Sequence, residues 1–153
     1  MDFIKQEDAL YNLTAEDFMI SSEKVAHVQL NNPLEHALLI LLKSGYSAVP
    51  VLDSKYRLKG TIGKGSILNE TLGIERFEME NLSTIKVESI MDTNIPRLRK
   101  SANFFECLTI LINHSFICIV DENGFFDGIV TRRAILKQLN QYFYLNKDVF
   151  KMS

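Results

Sequence analysis

Apolar residues recur at Leu34, Ala37, Leu38 and Leu41, the i, i+3, i+4, i+7 spacing of a helical face. Ahead of them stand Asn32 and Glu35, an N-x-x-E pair with the form of a capping box, and Pro33 falls at the expected first helical position. Gly45 follows the last periodic residue and is the expected left-handed cap. The period then changes. "YSAVPVL", from Tyr46, is a short β-branched run that ends in Asp53; a polar turn and a second extended run reach Gly60, and "GTIGKGSIL" returns to helical spacing. The pattern predicts helix, strand, turn, strand, helix.

The same order appears a second time, in "NFFECLTILINHSFICIVDENGFFDGIVTRRAIL". Asn103 and Glu106 repeat the capping-box form, "FICIV" is the counterpart strand, and Asp121 and Gly128 lie 68 residues beyond Asp53 and Gly60 (121 − 53 and 128 − 60). Upstream, "EDFMI" (Glu16–Ile20) is matched with "VESIM" (Val87–Met91), each leading into a short extended segment. The chain is therefore expected to be α/β (α+β), with two tandem βαββα-type repeats forming one pseudo-twofold module. The expected boundaries are an extra N-terminal helix in 1–13 (over 3–13), a first repeat over 14–72, a linker over 73–86, a second repeat over 87–145 and a tail over 146–153. The charged stretch "IERFEMEN" (Ile74–Asn81) is read as a solvated connector. The helices are apolar on several faces, so they are expected to pack on the sibling repeat and on another subunit. Phe104, Phe105, Phe116, Phe125 and Phe126 are assigned to core and subunit interface.

Composition narrows the function. The 153 residues are 46% hydrophobic and 24% charged, an ordinary globular balance. A net charge of −2 and a pI of about 5.9 argue against a general nucleic-acid binder. The longest apolar run, Ala37–Leu42, is far short of a membrane span, and "MDFIKQEDAL" lacks the pattern of a signal peptide, so a cytoplasmic protein with no membrane association is expected. Cys107 and Cys118 show no pairing or metal spacing and are read as buried free thiols. His27, His36 and His114 have no ligand spacing, so no metal site is expected.

One motif is electrostatically odd. "GIVTRR" (Gly128–Arg133) places two arginines where a strand ends and a helix begins, although cations are favoured at the opposite end of a helix. Helix N–H groups and guanidinium forks both favour phosphate oxygens. Arg132 and Arg133 are therefore candidate anion ligands, with Thr131 as N-cap and a further hydroxyl donor.

"GYSAVPVLD…LKGTIG" and "FICIVDENGFFDGIVTRR" resemble the CBS domain, two of which in tandem form a Bateman module. The resemblance implies an adenine-nucleotide ligand in a cleft between repeats. It brings together Ser21–Leu30, Gly45–Pro50 and Thr131–Arg133. The residues expected to contact ligand are Lys24, Val25, Ala26, His27, Tyr46, Ser47, Ala48, Pro50, Thr131, Arg132 and Arg133. Ala26 and Ala48 would let backbone approach a flat base, and Tyr46 would cover a base or ribose. The chain departs from the usual family pattern, S/T-x-x-D, whose aspartate grips a ribose diol: Ser66 and Ala134 occupy those positions. A 3′,5′-linked cyclic dinucleotide has no such diol and carries two phosphodiester charges. "MISSEKVAHVQLNNPLEHALL" and "TRRAILKQLN" further resemble the stand-alone paired-CBS proteins of low-GC Gram-positive bacteria that bind cyclic di-AMP. That resemblance implies a homodimeric cytosolic sensor, not an enzyme, with no cofactor beyond its ligand. Its ligand-free form would bind partner enzymes, including the (p)ppGpp synthetase/hydrolase of the stringent response. The first-repeat counterpart "GKGS" (Gly63–Ser66) lacks the threonine and one cation and is expected to be empty, giving one ligand per chain. The alternatives are an AMP or ATP sensor, a small nucleotide-processing enzyme and a ligand-independent scaffold.

Overall fold

The computed structural model describes residues 9–72 and 79–147. In chain order the elements are α1 (Ala15–Phe18), β1 (Ile20–Ser21), β2 (Val28–Gln29), α2 (Leu34–Ser44), β3 (Ala48–Leu52), β4 (Leu58–Gly63), α3 (Lys64–Thr71), α4 (Asn81–Thr84), β5 (Arg97–Leu98), α5 (Phe104–Leu111), β6 (Phe116–Val120), β7 (Phe126–Thr131) and α6 (Arg132–Leu145). One-turn 3₁₀ helices lie at Ser22–Lys24 and Val87–Ser89. The helix-strand-strand-helix order expected from the hydrophobic pattern is present twice.

Packing divides the chain into two compact units that do not coincide with the two repeats. A terminal unit takes the chain up to Glu23, then Pro96–Glu122 and Asp127 onward; a central unit takes Lys24–Ile95 and Asn123–Phe126. The terminal unit holds a four-stranded sheet in the order β1-β7-β6-β5, with Ile20 opposite Ile129 and β5 parallel to β6. The central unit holds a three-stranded sheet, β2-β3-β4, with β2 parallel to β3 and the β3–β4 hairpin antiparallel.

Each core follows the predicted periodicity. In the central unit Leu34, Ala37 and Leu41 of α2 are fully buried against Val49, Val51, Ile62 and Ile67. In the terminal unit Phe104, Cys107 and Leu111 of α5 pack with Ile117, Ile119, Val130 and Ile135. Both cysteines are free and buried, and burial pushes the thiols up to about 11 for Cys107 and about 12 for Cys118, so both stay neutral. Phe104 and Phe126 are buried, whereas Phe125 stands exposed at the β6–β7 turn, where its backbone bridges to Arg57.

The helix starts correct one expectation. The capping box forms at Asn103 and Glu106, but not at Asn32 and Glu35. Pro33 takes the N-cap position of α2, and the Asn32 carboxamide oxygen turns back to accept from the Gln29 N–H at 2.7 Å. The reason is register. The buried triads of the two helices are 70 residues apart (104 − 34 and 111 − 41), so Pro33, not Asn32, is the counterpart of Asn103. The strands keep the offset of 68. The extra two residues of the first repeat fall where α2 ends in Gly45, with φ 77, as expected for a left-handed cap.

The lead-in segments are also shifted by one from the sequence matching. Ala15 and Val87, 72 residues apart (87 − 15), are both fully buried, and each carbonyl accepts from the N–H four residues on, at Met19 and Met91. The same offset relates Leu10 to Leu82, both in their units' cores. Residues 9–11 are helical, as is α4, so the last part of the expected linker packs as the counterpart of the N-terminal helix, while Met79 and Glu80 of the expected connector are exposed. Residues 3–8 of that helix, 73–78 of the linker and 148–153 of the tail lie outside the described residues.

Each lead-in closes onto a glycine. A Cβ on Gly128 would overlap the Ile20 carbonyl oxygen, and one on Gly60 would lie 2.5 Å from that of Asp92. Thr61 and Asp92 exchange both backbone hydrogen bonds, at 2.9 and 2.8 Å. Among the described residues no helix is long and apolar enough to cross a membrane.

Asp53 organises the β3–β4 turn. Its Oδ1 accepts from the Lys55 and Arg57 N–H groups, both at 2.9 Å, and its Oδ2 from Arg57 Nε at 3.0 Å. The Arg57 N–H is the main cause that holds this carboxyl below its ordinary range, with burial opposing it and the Lys55 N–H and Arg57 guanidinium reinforcing it. A depressed folded-state pKa stabilises the fold above the unfolded-state value and loses that contribution as pH falls through the folded-state one. Asp53→Asn is therefore expected to lower stability at neutral pH, with the gap from the parent protein closing below about pH 4. Urea unfolding across that range measures it; a gap independent of pH would contradict the assignment.

Candidate ligand site

In the central unit, Val28 lies opposite Val51 with the strands parallel, so the segments leading into β2 and β3 reach the sheet at one end. That brings Lys24–His27 and Tyr46–Ala48 together. At the same end Ala48 faces Gly63, where β4 passes into α3, and the Lys64 N–H donates to the Ser47 carbonyl at 3.0 Å. Lys24 is exposed, Val25 is a core residue and Ala26 is half-buried. His27 is half-buried, and its Nδ1–H donates to the Val25 carbonyl at 3.1 Å; a carbonyl only accepts, so this bond places a proton on Nδ1. Tyr46 is exposed and donates its N–H to Ser44 Oγ at 3.3 Å. Ser47 is exposed, while Pro50 is a buried strand residue opposite Thr61 whose ring belongs to the packing.

Thr131, Arg132 and Arg133 belong to the terminal unit. Thr131 is the N-cap of α6, and its Oγ accepts from the Ala134 N–H at 3.1 Å. The Arg132 N–H donates to Ser115 O at 2.9 Å, the counterpart of the Lys64–Ser47 bond 68 residues earlier (132 − 64 and 115 − 47). The Arg132 side chain has its own partner: Nε donates to the Leu111 carbonyl at 2.9 Å. Leu111 is the last residue of α5, whose C-terminal carbonyls carry partial negative charge. A cation at the start of one helix is thus held by the end of another, which removes half of the electrostatic oddity. Arg133 is exposed and makes no hydrogen bond or ion pair with any described residue. The two arginines therefore differ in kind, a distinction the adjacent letters did not carry.

The junction at α3 is plainer. Gly63 is its N-cap without a side-chain bond, and Gly65 faces open space. Among the described residues no group of three or more His, Cys, Asp or Glu is placed to hold a metal.

The sequence reading missed Tyr56. Among the described residues it is the one non-glycine with positive φ, 68°. Its counterpart 68 residues on (124 − 56) is Gly124, at φ 86. A left-handed conformation costs an L-residue with a side chain on the order of 1–2 kcal/mol that glycine does not pay. The Tyr56 ring meets the His27 ring edge-on, 5.4 Å between centroids at 81°. The signal was available: the repeat alignment sets a tyrosine against a turn glycine.

The profile of the CBS domain matches residues 15–73 and 87–141. Cyclic di-AMP receptor B of Bacillus subtilis (strain 168) is 48% identical over 137 residues, 90% of this chain and 93% of that protein. A solved CBS domain-containing protein of unknown function from Bacillus anthracis is 54% identical, with a TM-score of 0.84 over 88% of this chain and 98% of that one. The CbpB protein of Listeria monocytogenes in complex with c-di-AMP is 49% identical, with a TM-score of 0.80 over 86% of this chain and 98% of that one.

The two sides of the α6 start are expected to separate on mutation. Thr131→Ala removes a cap and should cost about 1 kcal/mol of stability. Arg133→Met removes a side chain with no described partner and should change stability by less than about 0.5 kcal/mol. Chemical denaturation of both variants tests this; equal losses would mean that Arg133 is structural.

Proposed function

Since the chain belongs to the CBS-domain family and carries two such repeats, we propose that it is a cyclic di-AMP receptor that regulates a partner protein. The observation that carries this reading is the near full-length likeness to the Bacillus subtilis receptor, joined by the Listeria monocytogenes protein, whose structure is a complex with c-di-AMP. The chain's own chemistry supports it. Neither strand-to-helix junction offers a carboxylate for a ribose diol, since Ser66 and Ala134 stand there, and Arg133 is an exposed guanidinium beside a helix N-terminus with no partner among the described residues. The proposed contacts are Lys24–His27 and Tyr46–Ala48 for base and ribose, and Arg133 with the Thr131–Ala134 turn for phosphate. Arg132 would act mainly by holding that turn to the end of α5. Val25 and Pro50 would contribute through backbone, because their side chains are buried.

In this reading the protein is a cytoplasmic homodimer that performs no catalysis. Its apolar helix positions left exposed in the single chain, including Leu39, Leu42, Leu68, Ile112 and Leu136, are the surface for a second copy. Ligand would act by linkage: it favours one arrangement of the dimer and changes the affinity for a partner enzyme, with the (p)ppGpp synthetase/hydrolase as the first candidate.

The decisive experiment is a thermal-shift comparison of AMP, ATP, cyclic di-GMP and cyclic di-AMP, followed by titration calorimetry of the stabilising ligand. The expected result is selective stabilisation by cyclic di-AMP with one ligand per chain. Arg133→Met should weaken binding at least about tenfold, or ~1.4 kcal/mol, while Lys64→Met changes it less than about twofold. Preference for AMP or ATP, or equal losses in the two variants, would refute the reading or its placement.

A further inference from the structure

We propose that Tyr56 is a positioning residue for the ligand-contacting segment Lys24–His27, an inference that rests on the receptor reading above. Tyr56 holds a left-handed backbone conformation that its counterpart Gly124 adopts without strain. The backbone bonds of the turn do not require a tyrosine. Its N–H donates to the Asp53 carbonyl at 3.0 Å, and its carbonyl accepts from the Phe126 N–H at 3.0 Å. Both are backbone bonds that glycine would keep. Glycine would lose the ring, which meets His27 edge-on at 5.4 Å and the buried Phe126 at 6.3 Å and 53°.

His27 is thereby held from two sides, by the Tyr56 ring and by the bond from its Nδ1–H to the Val25 carbonyl. Val25 is itself anchored in the core, 5% exposed. Ala26 sits between these two fixed residues, so the direction of its backbone N–H and C=O is set before any ligand arrives. A base edge read by that backbone gains affinity when the segment need not be ordered on binding. All of these residues lie in the central unit. Strain at one turn residue is thus offset by order in the segment that is to meet the ligand, the pattern expected where local strain serves a site.

The test measures cyclic di-AMP binding by calorimetry on the full chain, with thermal unfolding alongside. Tyr56→Gly should bind about five- to tenfold more weakly while its unfolding midpoint stays close to that of the parent, because relief of strain offsets loss of the ring. Tyr56→Phe keeps the ring and should bind within about twofold of the parent. In a His27→Ala background, Tyr56→Gly should have no further effect, since Tyr56 acts through His27. Should the glycine variant not fold, Tyr56→Asn, which tolerates the left-handed region and has no ring, takes its place. Unchanged affinity in the ringless variant, failure of phenylalanine to restore it, or full additivity with His27→Ala would each overturn the proposal. Arg133→Met, run in parallel, separates the two levels. If it loses affinity and Tyr56→Gly does not, only the role of Tyr56 falls. If the parent binds no cyclic di-AMP, the receptor reading falls and takes this inference with it.

Discussion

The structure depends on two places where backbone passes backbone with no room for a side chain. At Gly60 the strand β4 runs against Asp92, and at Gly128 the strand β7 runs against Ile20. These contacts fix where the lead-in segments go, and the rest of their hydrogen bonding follows. In the terminal unit the Ala15 and Glu16 N–H groups reach the carbonyls of Ala102 and Lys100; in the central unit those of Val87 and Glu88 reach Asn32 and Leu30. Backbone groups taken out of water have to be paired somewhere, and here the chain pairs the lead-in of each repeat with a segment of the sibling repeat. That is why the compact units and the sequence repeats differ.

The same constraint builds two strand-to-helix junctions of one design and lets their chemistry diverge. Both anchor the first helical N–H on a serine carbonyl, Lys64 on Ser47 and Arg132 on Ser115. Beyond that bond they part. The first is glycine on either side of Lys64. The second has a capping threonine, an arginine tied to the last carbonyl of α5 and an arginine with no partner among the described residues. A positive charge at a helix start is tolerated when a neighbouring helix end neutralises it, so Arg132 does not need an anion to be stable there.

Periodicity carried most of the fold. Leu34, Ala37, Leu41 and their counterparts Phe104, Cys107 and Leu111 were readable as core because burial repeats at helical spacing whatever the neighbouring elements do. Register was less readable, because the repeats are offset by 72 residues at the lead-in, 70 at the first helix and 68 at the strands. An alignment anchored on two asparagines therefore misplaced one helix start, and proline, which already supplies extended geometry, took the cap position. Leu82 was hidden for another reason: its segment is charged and short, and one leucine among polar residues has no period to detect. The tie from Arg132 to Leu111 spans 21 residues and two strands, and no local rule reports it. Tyr56 was visible only as a mismatch between repeats, a tyrosine where the sibling turn uses glycine.

Ligand-controlled regulation has one physical requirement: a group at the site whose favoured position differs with ligand, connected to a surface a partner can read. In the terminal unit a single hydrogen bond joins a strand-to-helix turn to the end of another helix. Arg132 belongs to the Thr131–Arg133 turn and grips the end of α5, and its side chain also lines an apolar groove of about 310 Å³ with Leu108, Leu111, Ile112, Ile135 and Leu136. Ile112 and Leu136 on that groove are more than half exposed. A phosphate drawn to the turn would compete with the Leu111 carbonyl for the same guanidinium, because an ionised oxygen is the stronger acceptor. The end of α5 would then lose the charge that satisfies it, at the point where it borders an apolar surface. Within one unit, the chemistry that would recognise an anion and the surface that would report it share a residue.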